Sequence, residues 1–337
     1  MSFPLTHIPL NTQQDQIESK FQNRKETLFA EENFSQIKED SMNNELSLGK
    51  NVREKYFVQK RLKQNLIKQS ECPNKILDIL SISRDFYDKC QKMTVNIKQL
   101  KEMLAAFSSN DINQKYFGLV GIRKLLCLSE PPTQIILDMD ALPSIIQLLN
   151  NSPVEYQYEA LWCLINISTG DQAQVAKIKN RGGIDKIIEL LDHNMNEIQE
   201  LAIWCLENIS VDSIKMRSYL IQKKVLNKLM TILSISNKEI IGMRCIFTIK
   251  NLLKHYKKNE KPKLDHIRLT NLVAAYILLI KYDSDNKLIK QLYYDSFYIL
   301  GDLSEKFSQC KVSLIESGVV PYIIELLRNK QYQKELF

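Results

Sequence analysis

Both tryptophans of this sequence, and Phe247 further along, are each followed, four positions later, by an asparagine. The pairs are Trp162 with Asn166, Trp204 with Asn208, and Phe247 with Asn251. A spacing of four residues places both members of a pair on one face of an α-helix. We call these six residues the ladder, and Trp162 and Trp204 are the only tryptophans in the chain.

The ladder combines the two chemistries that an extended basic peptide needs. An asparagine amide carries a donor and an acceptor, so it can hydrogen-bond the main chain of a peptide whatever its sequence. An indole offers a flat face to a lysine or arginine side chain, and a cation over that face is worth roughly 0.5–2 kcal/mol. The ladder therefore predicts a groove for a lysine-rich peptide.

Carboxylates near the ladder are candidate partners for the lysine charges. Asp212 follows Asn208 by four positions, where its helix is predicted to end, and Glu159 and Glu200 lie on neighbouring turns. The alternative interpretation is that the tryptophans are core residues and the asparagines are structural caps. That alternative is favoured for any single pair, but three pairs in register favour the groove.

Repeated apolar phrases indicate the elements that hold the ladder. The phrases are LPSIIQLL at 142–149, IDKIIELL at 184–191, LNKLMTIL at 226–233, a fainter VAAYILLI at 273–280, and VPYIIELL at 320–327. The first two steps are 42 residues and the later two are 47, the period of armadillo or HEAT repeats. Such helical units stack into a solenoid. We predict an all-α, right-handed superhelix with the ladder along its concave face.

The chain divides into three predicted regions. Residues 95–337 are expected to hold about four full units and the start of a fifth, preceded by a linker or capping helix at 71–94. Residues 1–70 are polar and are expected to form a largely disordered tail. Within it, residues 50–68 are basic with interleaved apolar positions. They either fold as an amphipathic helix on an acidic surface or remain a solvated charge run.

Composition argues against several classes of function. A net charge of +7 permits an acidic partner but is too small to indicate direct nucleic-acid binding. Seven cysteines without a Cys-x-x-Cys pair indicate reduced thiols in a cytosolic or nuclear protein. The longest apolar run, 272–280, is too short to insert in a membrane, and no secretory signal is evident.

The four histidines are scattered, and no catalytic motif is present. We therefore expect no enzyme activity, metal or cofactor.

Further motifs surround the ladder. Ser168, Thr169 and Gly170 follow the first pair, Asp212 follows the second, and Arg123-Lys124-Leu125-Leu126 stands upstream of Pro131-Pro132. With these motifs, residues 95–330 resemble the importin-α family of nuclear import adaptors. That family carries more repeats than this chain, so the resemblance implies a half-length or truncated member.

The resemblance implies two sets of binding residues. The set for lysine-rich nuclear localisation signals is Glu159, Trp162, Asn166, Ser168, Thr169, Gly170, Trp204, Asn208, Asp212, Phe247 and Asn251. Asp212 matches the aspartate that binds the key lysine in the family, and Phe247 is a weaker cation platform than the tryptophan expected there. The set for an importin-β carrier is Phe21, Asn23, Arg24, Lys50, Arg53, Lys55, Lys60, Arg61, Lys63 and Lys68.

Two hypotheses follow for the function. The first is a non-enzymatic adaptor of cytoplasm and nucleus, whose tail binds the carrier and can fold back to compete with cargo for the ladder. It implies association with the nuclear pore through the carrier. The second is an armadillo scaffold, or a degenerate paralogue, without signal binding.

Overall fold

The computed structural model describes residues 74–77, 79–236, 239–254, 264–280 and 286–328. Regular structure in these ranges is helical, and no strand occurs in them. The predicted all-α armadillo solenoid is confirmed. The tail at 1–70 lies outside the described residues, and so do the ten residues assigned to carrier binding: Phe21, Asn23, Arg24, Lys50, Arg53, Lys55, Lys60, Arg61, Lys63 and Lys68.

Seventeen α-helices occur in the described residues. In chain order they are α1 (Asn74–Leu77), α2 (Arg84–Lys92), α3 (Leu100–Phe107), α4 (Ile112–Leu126), α5 (Thr133–Asp138), α6 (Ala141–Gln147), α7 (Val154–Ser168), α8 (Gln172–Asn180), α9 (Gly183–Glu189), α10 (Asn196–Asp212), α11 (Ile214–Gln222), α12 (Val225–Ile235), α13 (Glu239–Leu253), α14 (His266–Leu279), α15 (Lys287–Lys306), α16 (Ser308–Glu316) and α17 (Val319–Arg328). Turns of 3₁₀-helix at Ile97–Gln99 and Leu190–Asp192 join the α-helices beside them.

Three consecutive groups of helices repeat one arrangement. The groups are α5–α7, α8–α10 and α11–α13, and each ends in a helix of 15 or 17 residues. A shorter and a longer helix, α3 and α4, precede them, and α14–α17 follow. The predicted number of units stays a prediction, because only these three groups contain all three helices within the described ranges.

Between the first and second helix of each group the chain turns a corner at one residue in the left-handed conformation. This residue is Asp140, Gly182 or Lys224, with φ of 54°, 75° and 60°. Gly318 adopts the same conformation between α16 and α17, with φ of 74°. The first three are 42 positions apart. Glycine adopts this conformation without a steric penalty, whereas aspartate and lysine lose about 1–2 kcal/mol. The corner is therefore fixed by the packing of the two helices it joins.

The long helices pack side by side and bury most of their surface. Helix α7 lies between α4 and α10, α10 lies between α7 and α13, and α13 packs against α15. Their inward apolar residues, such as Leu164, Leu206 and Ile249, are fully buried. Because the ladder residues lie on α7, α10 and α13, stacking brings the three pairs onto neighbouring helices.

The cysteines in the described part of the chain are free thiols, as the sequence predicts. Cys90, Cys163, Cys205, Cys245 and Cys310 are buried. Burial raises the pKa of the Cys90 thiol to about 11 and that of Cys205 to about 12. The Cys90 and Cys205 thiols are therefore protonated at neutral pH and act as small apolar core residues.

Gly118 provides a test of how closely α3 and α4 cross. A Cβ atom at this position would lie 2.2 Å from the Phe107 backbone nitrogen and 2.6 Å from the Met103 carbonyl oxygen. Alanine gains about 1 kcal/mol of helix propensity over glycine, but the backbone of α3 must move to admit it. We expect Gly118→Ala to lower the free energy of unfolding by about 2 kcal/mol, measured by urea denaturation.

Gly170→Ala is the matched control for this substitution. Its added Cβ would meet chiefly the end of the flexible Gln174 side chain, which can rotate away. We expect a change below about 0.5 kcal/mol. Equal stability of Gly118→Ala and the parent protein would contradict the close crossing of α3 and α4.

Candidate peptide-binding site

The first two ladder pairs lie beside each other on α7 and α10. The ring centroids of Trp162 and Trp204 are 5.1 Å apart with an angle of 72° between the ring planes. This is an edge-to-face contact, which aromatic rings favour. Tyr158, one turn before Trp162, presents its ring to the same indole at 6.4 Å. Residues 42 positions apart in the sequence thus form one continuous aromatic row.

The indoles are not the open walls that the sequence predicts. Only 6% of the Trp162 surface and 3% of the Trp204 surface are exposed, and Asn166 and Asn208 are 2% and 4% exposed. The physical reason is the close stacking of α7 and α10, together with a cation of the chain that covers Trp204. A peptide at the ladder would contact the edges of these residues unless covering side chains move.

The ladder asparagines use their amide nitrogens inside the protein. The Asn166 Nδ2 donates to the carbonyl oxygen of Trp162 at 2.9 Å. The Asn208 Nδ2 donates across to α7, to the carbonyl oxygen of Ile165 and to the Ser168 Oγ, both at 3.3 Å. The Asn208 bonds join α10 to α7, whereas the Asn166 bond lies within α7. Both sets are in line with the alternative interpretation of the asparagines as structural residues. They engage the amide nitrogens and not the amide oxygens.

The covering cation is Arg244 on α13. Its guanidinium carbon lies 4.0 Å from the Trp204 ring centroid. The same side chain donates from Nε to Glu200 at 3.2 Å and from Nη1 to Glu207 at 3.3 Å. Glu200, predicted as a partner for a peptide lysine, is thus bound to an arginine of the chain itself.

The third ladder pair is more open than the first two. Phe247 and Asn251 are partly exposed on α13. Next to Asn251, Lys250 is buried and its Nζ lies 3.1 Å from the Asp295 carboxylate on α15. The Asp295 pKa is raised by burial, although the Lys250 charge opposes that shift. A second basic side chain of the chain is therefore paired within the protein next to the ladder.

Glu159 also has an internal partner. It is 1% exposed, and its Oε2 accepts a hydrogen bond from the Arg123 Nε at 2.6 Å. Gln91 donates to the other carboxylate oxygen at 2.7 Å. This geometry makes Glu159 a link between α4 and α7. Its assignment as a peptide-binding carboxylate stays a prediction that would require this pair to open.

Asp212, the remaining predicted site carboxylate, is partly exposed. It is the last residue of α10. Burial raises its pKa, Asp171 adds to the shift, and Ser213 and Arg217 oppose it. The Asp171 side chain caps α8 by accepting from the Gln174 backbone N–H. The two aspartates make an acidic corner where α10 ends and α8 begins, suited to attract a cation.

The remaining predicted residues form the turn after α7. The Ser168 hydroxyl is buried and donates to the Ile165 carbonyl oxygen at 2.7 Å. Thr169 donates from Oγ1 to the Asn166 carbonyl oxygen, also at 2.7 Å, and Gly170 is exposed. Ser168 and Thr169 therefore terminate the helix, and the turn they form leads into the acidic corner. Their peptide-binding roles stay predictions.

The pairing of Arg123 and of Arg244 with glutamates of the chain was not predicted from the sequence. The sequence does contain an indication of these ion pairs, because each arginine lies about one repeat length from a glutamate that it binds. Arg123 and Glu159 are 36 positions apart, and Arg244 and Glu207 are 37 apart. In a stacked array, opposite charges at repeat spacing become neighbours on adjacent helices.

Other kinds of site are not seen in the part of the chain that the structure describes. Its histidine, cysteine and acidic side chains nowhere gather in a group that could hold a metal ion. None of its helices combines the length and the apolar character needed to cross a membrane.

Comparison with known proteins identifies the family. The Armadillo/beta-catenin-like repeat matches residues 129–169, which include α5, α6 and α7. The probable importin subunit alpha-A of Dictyostelium discoideum is 26% identical over 301 residues, 84% of this chain and 53% of that protein. The importin subunit alpha-1 of Schizosaccharomyces pombe is 31% identical over 237 residues, 70% of this chain and 42% of that protein. The chain belongs to the importin-α family.

This importin-α family member spans about half the length of the curated relatives it matches. Among solved structures, its fold is similar to that of a designed armadillo repeat protein in complex with peptide (KR)4, with a TM-score of 0.58. That likeness has 20% identity and covers 71% of this chain and 96% of the designed protein. At this identity the likeness shows the fold alone.

Glu159→Gln tests whether the glutamate is an internal partner. The substitution leaves Arg123 buried without a countercharge, so we expect the free energy of unfolding to fall by about 3 kcal/mol. The measurement is chemical denaturation followed by circular dichroism.

The double variant Arg123→Met/Glu159→Leu is the control, because it removes both charges and keeps apolar volume. We expect it to recover most of the lost stability. If Glu159→Gln weakened peptide binding while leaving unfolding unchanged, the assignment as an internal partner would be wrong.

Proposed function

We propose that this protein is a non-enzymatic nuclear import adaptor that binds a lysine-rich peptide along the ladder. The observation that carries the proposal is the alignment of Trp162 and Trp204 at 5.1 Å on adjacent helices, with the partly exposed Asp212 at the end of the second. Membership of the importin-α family supports it.

Each part of the ladder face has a role in this proposal. The Asp212 carboxylate attracts the ammonium group of one lysine, and the exposed turn at Gly170 leaves room for the peptide backbone beside it. The amide oxygens of Asn166 and Asn208 accept from peptide N–H groups, since their nitrogens already donate within the protein. Phe247 and Asn251 extend the contact surface toward α13.

A carrier of the importin-β type is the second proposed partner. The support is the basic composition of residues 50–68 and the resemblance of residues 20–25 to the family's carrier-binding element. Through that carrier the protein would move between cytoplasm and nucleus and meet the nuclear pore. The proposal requires neither nucleic acid nor insertion in a membrane.

A second candidate function is an armadillo scaffold that does not bind nuclear localisation signals. The observation that favours it is the pairing of Arg244 with Glu200 and Glu207 over Trp204. If Arg244 stays over Trp204, the ladder has less room for a basic peptide, and partners would bind at another surface. Peptide titration separates the two candidates.

Asp212→Asn tests the proposed function directly. The substitution keeps the size of the side chain but removes the charge that a peptide lysine needs. We expect a fluorescently labelled lysine-rich peptide to bind about ten- to a hundredfold more weakly, measured by fluorescence polarisation.

Asp138→Asn is the matched control. Asp138 is an exposed aspartate on α5 that lies 3.2 Å from Lys177 and away from the ladder, and its loss changes the net charge by the same amount. We expect its peptide affinity to equal that of the parent protein. Equal affinity of Asp212→Asn and Asp138→Asn would reject the signal-binding proposal.

A further inference from the structure

Arg244 lies on the ladder face of α13. Positions 244, 247 and 251 follow the spacing of three and four residues that places side chains on one side of a helix. Arg244 therefore shares its face with Phe247 and Asn251, and its side chain crosses from there to α10. It is 6% exposed and fills the space between Trp204 and the two glutamates.

The contacts of Arg244 are those that a basic residue of a bound peptide would make. A cation above an indole with carboxylates on either side is the arrangement by which a protein captures lysine or arginine. Among the described residues, by contrast, no cation lies over the Trp162 ring. The two tryptophans are thus unequal, and the difference comes from one side chain.

We propose that Arg244 occupies the cation site on Trp204 from within the chain, so that a bound peptide can place only one basic residue, at Asp212. This inference rests on the proposed function, because it concerns the specificity of the same ladder. It makes Arg244 a specificity-determining residue. Its removal exposes a site formed by Trp204, Glu200 and Glu207.

The distance between the two sites defines the peptides that distinguish them. Asp212 follows Trp204 by eight residues on α10, which is about 12 Å along a helix. An extended peptide advances about 3.3 Å per residue. Where the peptide runs along α10, a second lysine three or four residues from the first therefore spans this distance and reaches the Trp204 site when Arg244 is absent.

The experiment compares two peptides on the parent protein and on Arg244→Gln. One peptide carries a single lysine in an alanine and glycine background, and the other carries a second lysine three or four positions away. We expect the parent protein to bind both with similar affinity. We expect Arg244→Gln to bind the two-lysine peptide about three- to thirtyfold more tightly, with the single-lysine peptide unchanged.

Gly118→Ala is the control for loosening of the array, since its added Cβ displaces the backbone of α3 and frees no carboxylate beside the ladder. Its peptide preference should equal that of the parent protein. A gain of the same size in Gly118→Ala would mean that the array has merely loosened, and it would overturn the inference. If Arg244→Gln does not fold, Arg244→Ala/Glu207→Gln removes the arginine together with one of its two glutamates. Because Glu200 and Trp204 remain, it should show a smaller gain in the same direction.

The outcomes separate the inference from the proposed function. If the parent protein binds through Asp212 but neither Arg244 variant gains a preference for two lysines, the inference is wrong and the proposed function stands. If only the Arg244 variants bind, the proposed function fails for the parent protein, and the inference fails with it, because the parent protein then places no lysine at Asp212. If none of the proteins binds either peptide, both are wrong.

Discussion

Side-by-side packing of the long helices is the constraint on which the rest of the structure depends. A single armadillo unit cannot bury its own apolar face, so α7 must lie between α4 and α10, and α10 between α7 and α13. This packing makes neighbours of residues about one repeat apart. The Trp162–Trp204 contact, the Asn208 bond to Ile165 and the Arg244 pairs with α10 are all consequences of it.

The same packing limits what the ladder can offer to a ligand. Stacking that brings Trp162 to Trp204 also buries both rings, and a buried charge must be paired to be tolerated. The chain pairs Arg123 with Glu159, and Arg244 with Glu200 and Glu207, rather than leaving the glutamates available. Asp212 stands at the end of α10 and is partly exposed. The position proposed to bind a cation is thus one that stacking leaves partly exposed.

Much of the fold could be predicted from the sequence because the repeat period is a one-dimensional signal. Phrases such as LPSIIQLL and IDKIIELL became α6 and α9, and the spacing of the Trp/Asn pairs correctly placed them on α7 and α10. The left-handed corners at Asp140 and Lys224 were missed, because neither residue type specifies that conformation without the packing around it. The burial of the ladder was missed for a similar reason. Helical spacing gives the face of a residue, but the distance to the next helix and the position of Arg244 depend on tertiary contacts.

The two tryptophans allow a direct measurement of the central claim, that the ladder face binds a basic peptide. They are the only ones in the chain, so its two indole N–H signals in a proton–nitrogen NMR spectrum report on the ladder alone. Titration with a lysine-rich peptide should shift both signals saturably, and the same peptide with alanine for lysine should shift neither. If the lysine-rich peptide binds and both indole signals stay in place, the ladder is not the binding site.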